Sequence, residues 1–272
     1  MDPRLAGAAR AAVKAGSAVA DLALRPPTGI VILIYHRVGS GTGGQMDVST
    51  ARFDDQLAWL SATQRVLRLD EALTELAGPG PVEPGVVLTF DDGTDDWAPT
   101  VAPLLARHRV PATFYVATSF VEDGIELPGA GRPATWSQLA ELRDCGWATI
   151  GAHTHRHLLL DRLAPDEIEA ELARADDLLG DRLGIAAEHF CYPKAVPPSA
   201  AADAAVRRRY RSAVLAGTRA NRAGADAWTL ARSPVQASDG TRWFRAKVRG
   251  GLGAEDRLRE RLNRRRYRSA TS

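Results

Sequence analysis

Short apolar runs rich in β-branched residues recur along this 272-residue chain, and most of them end on a charged or imidazole side chain. IVILIY stops at His36, VVLTF at Asp91 and Asp92, WATIGA at His153 and HFCYP at Lys194, while Arg232 follows WTLA. Between these runs apolar residues return every three or four positions. Phe53, Leu57 and Leu60 do so after Ser49 and Thr50, and Ile168, Leu172, Leu179 and Leu183 do so after Pro165. Buried strands alternating with one-sided helices restrict the chain to an α/β fold. Strands are expected at Ile30–Tyr35, Val86–Phe90, Ala112–Ala117, Trp147–Ile150, His189–Tyr192, Arg211–Leu215 and Trp228–Leu230. Helices are expected near Trp97–His108, at Ser137–Asp144 and after Pro165. Six or seven strand–helix units in about 200 residues suit either a (β/α) barrel or an open parallel sheet covered on both faces, and periodicity does not choose between them.

In either architecture the C-terminal ends of parallel strands converge on one rim, so His36, Asp91, Asp92, His153, Lys194 and Arg232 could share a site despite their separation in sequence. No linker is long enough to force a domain boundary. The chain reads as a single domain at 29–240, preceded by an Ala-rich, helix-prone segment at 1–28 and followed by a basic end at 241–272. That end carries eleven Arg or Lys against three Asp or Glu, leaving the first 240 residues acidic within a whole-chain net charge of +2. A near-balanced total gives no reason to expect a nucleic-acid partner. The run DRLRERLNRRRYR at 256–268 reads as a helix that could lie on an anionic membrane, or else as a solvated tail. Neither a signal-peptide core nor a stretch of about 20 apolar residues is visible, so the default expectation is a cytoplasmic chain or one resting on a membrane surface.

The chemistry is concentrated in two motifs. Asp91 and Asp92 follow an apolar strand and precede Gly93, and adjacent residues there point in different directions, so one carboxylate can bind a cation while the other faces a substrate. A turn with a helix cap is the plainer reading of the same tripeptide. Asp95 and Asp96 suit the start of the next helix. GAHTHRHL offers His153 and His157 at i and i+4, on one side of a helical turn, where two imidazoles can reach one cation. His155 is expected to face solvent or support its neighbours. His108 and His189 read as structural. Cys145 and Cys191 are too few for a disulfide framework or a cysteine zinc site.

TFDDG at 89–93 followed about 60 residues later by H-T-x-x-H resembles the polysaccharide deacetylases, the NodB-homology carbohydrate esterases. YHRV, PATFYVA, FCYPK and LARSPV extend the resemblance over residues 30–235. It implies a distorted (β/α) barrel in which Asp92, His153 and His157 hold one divalent metal, usually zinc, and Asp91 is the general base. It also implies an oxyanion donor in the loop after Tyr192, the N–H of Lys194. Two departures stand out. The segment C-Y-P-K-A replaces the usual R-P-P-Y-G, which removes the arginine that orients the catalytic Asp and points to Arg232 as its substitute. No His follows His189, so the late histidine that serves as general acid is missing, and His36 becomes the candidate, as in exopolysaccharide deacetylases.

The resemblance implies an acetylated glycan or glycan precursor as substrate, and an extracytoplasmic place of action. Esters or small amides on the same scaffold, and a catalytically silent carbohydrate-binding or partner-binding protein, stay open as alternatives. A glycan groove needs exposed aromatics, for which Trp97, Trp136 and Trp228 are the candidates.

Overall fold

The protein is described by a computed structural model for residues 12–18, 21 and 28–268. Its main sheet holds seven strands, all paired in parallel: β1 (Ile30–Tyr35), β4 (Gly85–Asp92), β5 (Ala112–Val116), β6 (Ala148–Ala152), β7 (His189–Cys191), β8 (Ser212–Val214) and β9 (Arg232–Pro234). The spatial order is β8-β7-β6-β5-β4-β1-β9. A separate short pair joins β2 (Arg37–Val38) to β3 (Asp47–Val48).

The two edges nearly meet. Leu230 bridges Val214 of β8, and two residues later Arg232 pairs with Ile32 of β1, so the segment 230–234 spans the gap and curls the sheet into a nearly closed barrel. The late strand thus lies four residues further along than the expected Trp228–Leu230. Arg232 opens it instead of following it.

Helices pack outside. They are α1 (Thr50–Thr63), α2 (Leu69–Ala77), α3 (Ala102–His108), α4 (Thr118–Asp123), α5 (Trp136–Asp144), α6 (Pro165–Leu183), α7 (Ala200–Arg209), α8 (Thr241–Val248) and α9 (Gly253–Arg268). A π-helical turn, Trp97–Val101, leads into α3. Strand alternation sorts the side chains into two cores. Tyr35, Phe90 and Phe114, in register on neighbouring strands, stack outward at centroid distances of 5.2 and 4.7 Å beneath the helices. Ile32, Val87, Tyr115, Cys191, Val214 and Leu230 fill the interior. Asp91 and Arg232 belong to that inner set.

The basic end is not a free tail over its first part. On α8, Phe244 is buried and its ring meets Trp59 edge-on at 5.9 Å. Lys247 is buried and donates to Asp239 at 2.6 Å and to the Pro234 carbonyl at 2.7 Å. Residues 12–18 are helical, and Lys14 pairs with the other Asp239 oxygen. The Ser17 hydroxyl accepts the backbone N–H groups of Ala254 and Glu255 at the start of α9. Residues 241–256 therefore pack with the N-terminal segment, and the division at 240 crosses a continuous interface. The rest of the N-terminal segment, apart from Asp21 and Thr28, lies outside the described residues.

Candidate active site

β4 delivers two carboxylates by two different backbone conformations. Asp91 keeps the strand geometry and points into the barrel with Thr89. Asp92 would share the outward face of Phe90, but its left-handed backbone (φ 87) turns it out of the pleat. Its Oδ1 then lies 3.6 Å from Nε2 of His153 and 3.6 Å from Nε2 of His157. The two imidazole centroids are 4.8 Å apart.

His153 follows β6, with its backbone N–H on the Val116 carbonyl of β5. Its Nδ1 lies 2.7 Å from the Cys191 carbonyl. A carbonyl only accepts, so Nδ1 carries a proton, and Nε2 is the ring nitrogen that faces Asp92. His157 reaches the same point from a loop, not from the helical turn its spacing suggested. Thr154 and His157 are both left-handed (φ 63 and φ 56), and these two reversals fold the pentapeptide back on itself. His155 turns aside, its Nδ1 3.0 Å from the Thr118 hydroxyl, in the supporting place expected of it.

Donor chemistry of this kind suits a divalent cation: two imidazole nitrogens and one carboxylate oxygen converge and leave further coordination positions open. Protonation differs among the three: burial pulls His153 down, but Cys191, Asp92 and Asp91 outweigh it and raise this imidazole well above its ordinary value, so a bound cation would have to displace its proton. Burial and the nearby charges of His153 and Lys194 push His157 down to about 4, against the opposing pull of Asp92, so it is neutral at neutral pH. Burial pushes the Asp92 carboxyl up, but its contact with His153 and the charges of His36 and His157 outweigh this and hold it well below the usual range.

Asp91 and Arg232 make the second half of the site. Nη1 of Arg232 donates to Oδ1 of Asp91 and Nη2 to Oδ2, each at 2.7 Å. Nη1 also donates to the Thr89 hydroxyl at 2.8 Å, and Nε to the Leu215 carbonyl at 3.2 Å. Both charged groups are almost fully buried, at 1% exposure for Arg232 and 5% for Asp91. Burial alone would raise the Asp91 carboxyl; Arg232, with help from His153 and His36, holds it below its ordinary value. The arginine missing from the C-Y-P-K-A segment is thus replaced in space by one from β9, across the barrel. Cys191 Sγ sits 2.9 Å from Nη2 of the same guanidinium, and burial pushes this thiol up, so it is neutral and unsuited to attack.

His36 follows β1 and is half-buried. Its carbonyl accepts the Trp97 indole N–H at 2.9 Å and the Thr94 hydroxyl at 3.2 Å, while its imidazole lies near enough to lower both Asp91 and Asp92. Lys194 stands in the turn after β7, left-handed at φ 53, with its side chain exposed close to His157. All seven singled-out residues therefore gather at one mouth of the barrel.

Other expectations change. Trp97 is fully buried and held by His36, so it lines no groove. The Trp228 indole donates to the Tyr210 carbonyl, just before β8, which places it at the opposite rim. Asp96 caps nothing with its side chain. It accepts the Val38 N–H at 2.8 Å and the Ser40 hydroxyl at 3.0 Å, tying the loop after β1 to the end of β4. His189 and His108 are structural, on the Ser212 hydroxyl and on Asp54 respectively. Glu171 of α6, which no motif marked, reaches the histidine loop through Arg156.

A family model described as polysaccharide deacetylase matches residues 79–213, which include Asp91, Asp92, His153, His157 and Lys194. The chain belongs to the polysaccharide deacetylase family. That family is metal-dependent. His36 and Arg232 fall outside the matched segment. YxkH of Bacillus subtilis (strain 168), named as a polysaccharide deacetylase, is 26% identical over 169 residues, 61% of this chain and 57% of that protein. The poly-beta-1,6-N-acetyl-D-glucosamine N-deacetylase of Escherichia coli (strain K12) is 30% identical over 141 residues, 47% of this chain and 21% of that one. Among solved structures, IcaB from Ammonifex degensii matches with a TM-score of 0.72 and 25% identity, covering 83% of this chain and 98% of that one. The chain thus spans just over half of one sequence relative and about a fifth of the other.

Proposed function

We propose that this protein is a Zn2+-dependent hydrolase that removes acetyl groups from N-acetylated sugars of a glycan or a glycan precursor. One observation carries the reading: a two-histidine, one-carboxylate donor set adjoins a second carboxylate already held ionised by a buried arginine. A carbohydrate-binding protein has no need of a base beside a metal site.

Asp92, His153 and His157 would hold the cation. When bound, it supplies the positive charge that polarises an acyl oxygen and makes a water easier to deprotonate. Asp91 takes the proton from the attacking water. Because Arg232 engages both of its oxygens, the buried carboxylate stays charged and keeps one orientation. The backbone N–H of Lys194 donates to the oxygen that gains charge as the acetyl carbon becomes tetrahedral. His36 gives a proton to the departing amine nitrogen, the role left open by the missing late histidine.

Acetate release from short N-acetylglucosamine oligomers, from an O-acetyl ester and from a small acetamide tests the substrate class. Release from the oligomers, abolished by a chelator, is expected. Release from the ester or the small amide alone would redirect the substrate, and none from any of them would favour a silent binding protein. His36→Ala should slow amide hydrolysis more than that of an activated ester, whose leaving group needs no proton; equal losses would remove His36 as the acid.

The acidic body and basic end also support peripheral contact with an anionic membrane through α9. Leu258 and Leu262, 42% and 55% exposed and one turn apart, stand beside exposed Arg257 and Arg261. Co-sedimentation with vesicles containing phosphatidylglycerol, lost in the Leu258→Ser, Leu262→Ser double variant, is expected. Equal binding of that variant would overturn the contact.

A further inference from the structure

A carboxylate stands in the middle of the apolar stripe of α6. Ile168, Leu172, Ala175, Leu178, Leu179 and Leu183 form the buried face of that helix, and Glu171 lies among them at 2% exposure. Burying a carboxylate is costly, and a leucine or methionine would serve packing at this position better. The charge has another use.

Oε2 of Glu171 accepts the backbone N–H of Arg156 at 2.8 Å, and Oε1 accepts Nε of the same residue. The Arg156 side chain is 59% exposed, so the ion pair is open to water and weak. The bond to the backbone does not depend on that exposed side chain. It falls on the residue between His155 and His157, in a loop that bends through two left-handed residues, Thr154 and His157. Such conformations are unfavourable for residues other than glycine and persist only where surrounding contacts hold them.

The loop is held on its other side by α4. The N–H groups of Thr118 and Ser119 donate to the carbonyls of Thr154 and His155, at 3.3 and 2.9 Å. That grip stops at His155. Among the described residues, the next hydrogen bond to the loop backbone is the one accepted by Glu171, immediately before His157. His153 needs no such strut, because its Nδ1 is fixed by the Cys191 carbonyl.

We propose that Glu171 is a positioning residue for the metal site. It holds the Arg156 peptide so that His157 presents Nε2 to the point shared by Asp92 and His153, and it acts through the backbone, not through the Arg156 side chain. The inference rests on the metal-site reading above, and it assigns Glu171 no contact with substrate.

The test is the dissociation constant for Zn2+, measured by competition with a chromophoric chelator, together with the visible spectrum of the Co2+-substituted protein. Loss of an outer partner of a metal ligand typically weakens binding about 10- to 100-fold. Glu171→Ala is expected to weaken Zn2+ by that factor and to change the Co2+ spectrum. Glu171→Gln, close in shape and able to keep one accepting oxygen, should fall between it and the wild type. Arg156→Ala keeps the backbone N–H and should stay within about threefold of the wild type on the same scale. Unchanged Zn2+ affinity and Co2+ spectrum in folded Glu171→Ala or Glu171→Gln would overturn the proposal, since a merely structural residue would lower the melting temperature without moving either readout. A loss in Arg156→Ala equal to that in Glu171→Ala would overturn the backbone route. A wild-type protein that binds no divalent metal would overturn the site reading itself, a result distinguishable from the other two.

Discussion

Asp91 stays ionised although it is only 5% exposed, because Arg232 meets it with two parallel hydrogen bonds and a full charge. The sign of its contribution follows from that depression. The pair stabilises the fold above the carboxyl's unfolded value of about 3.9 and stops doing so as the pH falls through the lower folded value. Arg232→Leu should remove this and leave a buried, unpaired carboxylate, at a cost of about 3–5 kcal/mol in urea unfolding at pH 7. In the surviving folded fraction Asp91 should rise, moving the acidic limb of the kcat/KM profile to higher pH. An unchanged limb would show that Arg232 does not set the state of the base. Asp91→Asn is the complement: turnover should fall by about 10²- to 10⁴-fold with metal content unchanged. Near-normal turnover would exclude it as base.

Elements, more than motifs, decide how these residues meet. Gly151 in β6 illustrates the tolerance of the scaffold. A Cβ there would lie 2.7 Å from the His189 carbonyl oxygen and 2.8 Å from Cδ1 of Tyr115, so β6 can approach β5 and β7 only with glycine at this point. Gly151→Ala should cost about 1–3 kcal/mol and, because His153 lies two residues on, weaken metal binding as well. Wild-type stability and affinity would mean that the barrel interior has room the structure does not show. The same scale separates what could be read in the sequence from what could not. Asp91, Asp92, His36 and His153 were legible because parallel strands put their last residues on one rim. The placement of His157 was legible only in outcome, since i and i+4 spacing implied a helical turn and two left-handed residues supplied a loop. The short, polar Arg232–Pro234 strand lacks any apolar alternation, because its interior position is taken by the guanidinium that neutralises Asp91. Glu171 was invisible for a related reason: in PDEIEAELARADD it looks like any solvent-facing acid of an amphipathic helix. The helices α2 and α7 passed unread although Leu69, Ala72 and Leu76 fall at helical spacing.

For the whole molecule, closure of the barrel is what couples sequence ends to chemistry. Arg232 crosses from the last strand to the carboxylate of the fourth, and the N-terminal segment packs on residues 241–256 behind it. A bound cation should add stability by mass action, about 2.7 kcal/mol at a concentration one hundred times its dissociation constant, so the melting temperature should rise with zinc and fall back on chelation. The most direct measurement is a titration of zinc into chelator-treated protein, following acetate released from N-acetylglucosamine oligomers. Activity that climbs from zero and saturates at one zinc per chain is the predicted result. Acetate release that is independent of zinc, or absent at saturating zinc, would contradict the account.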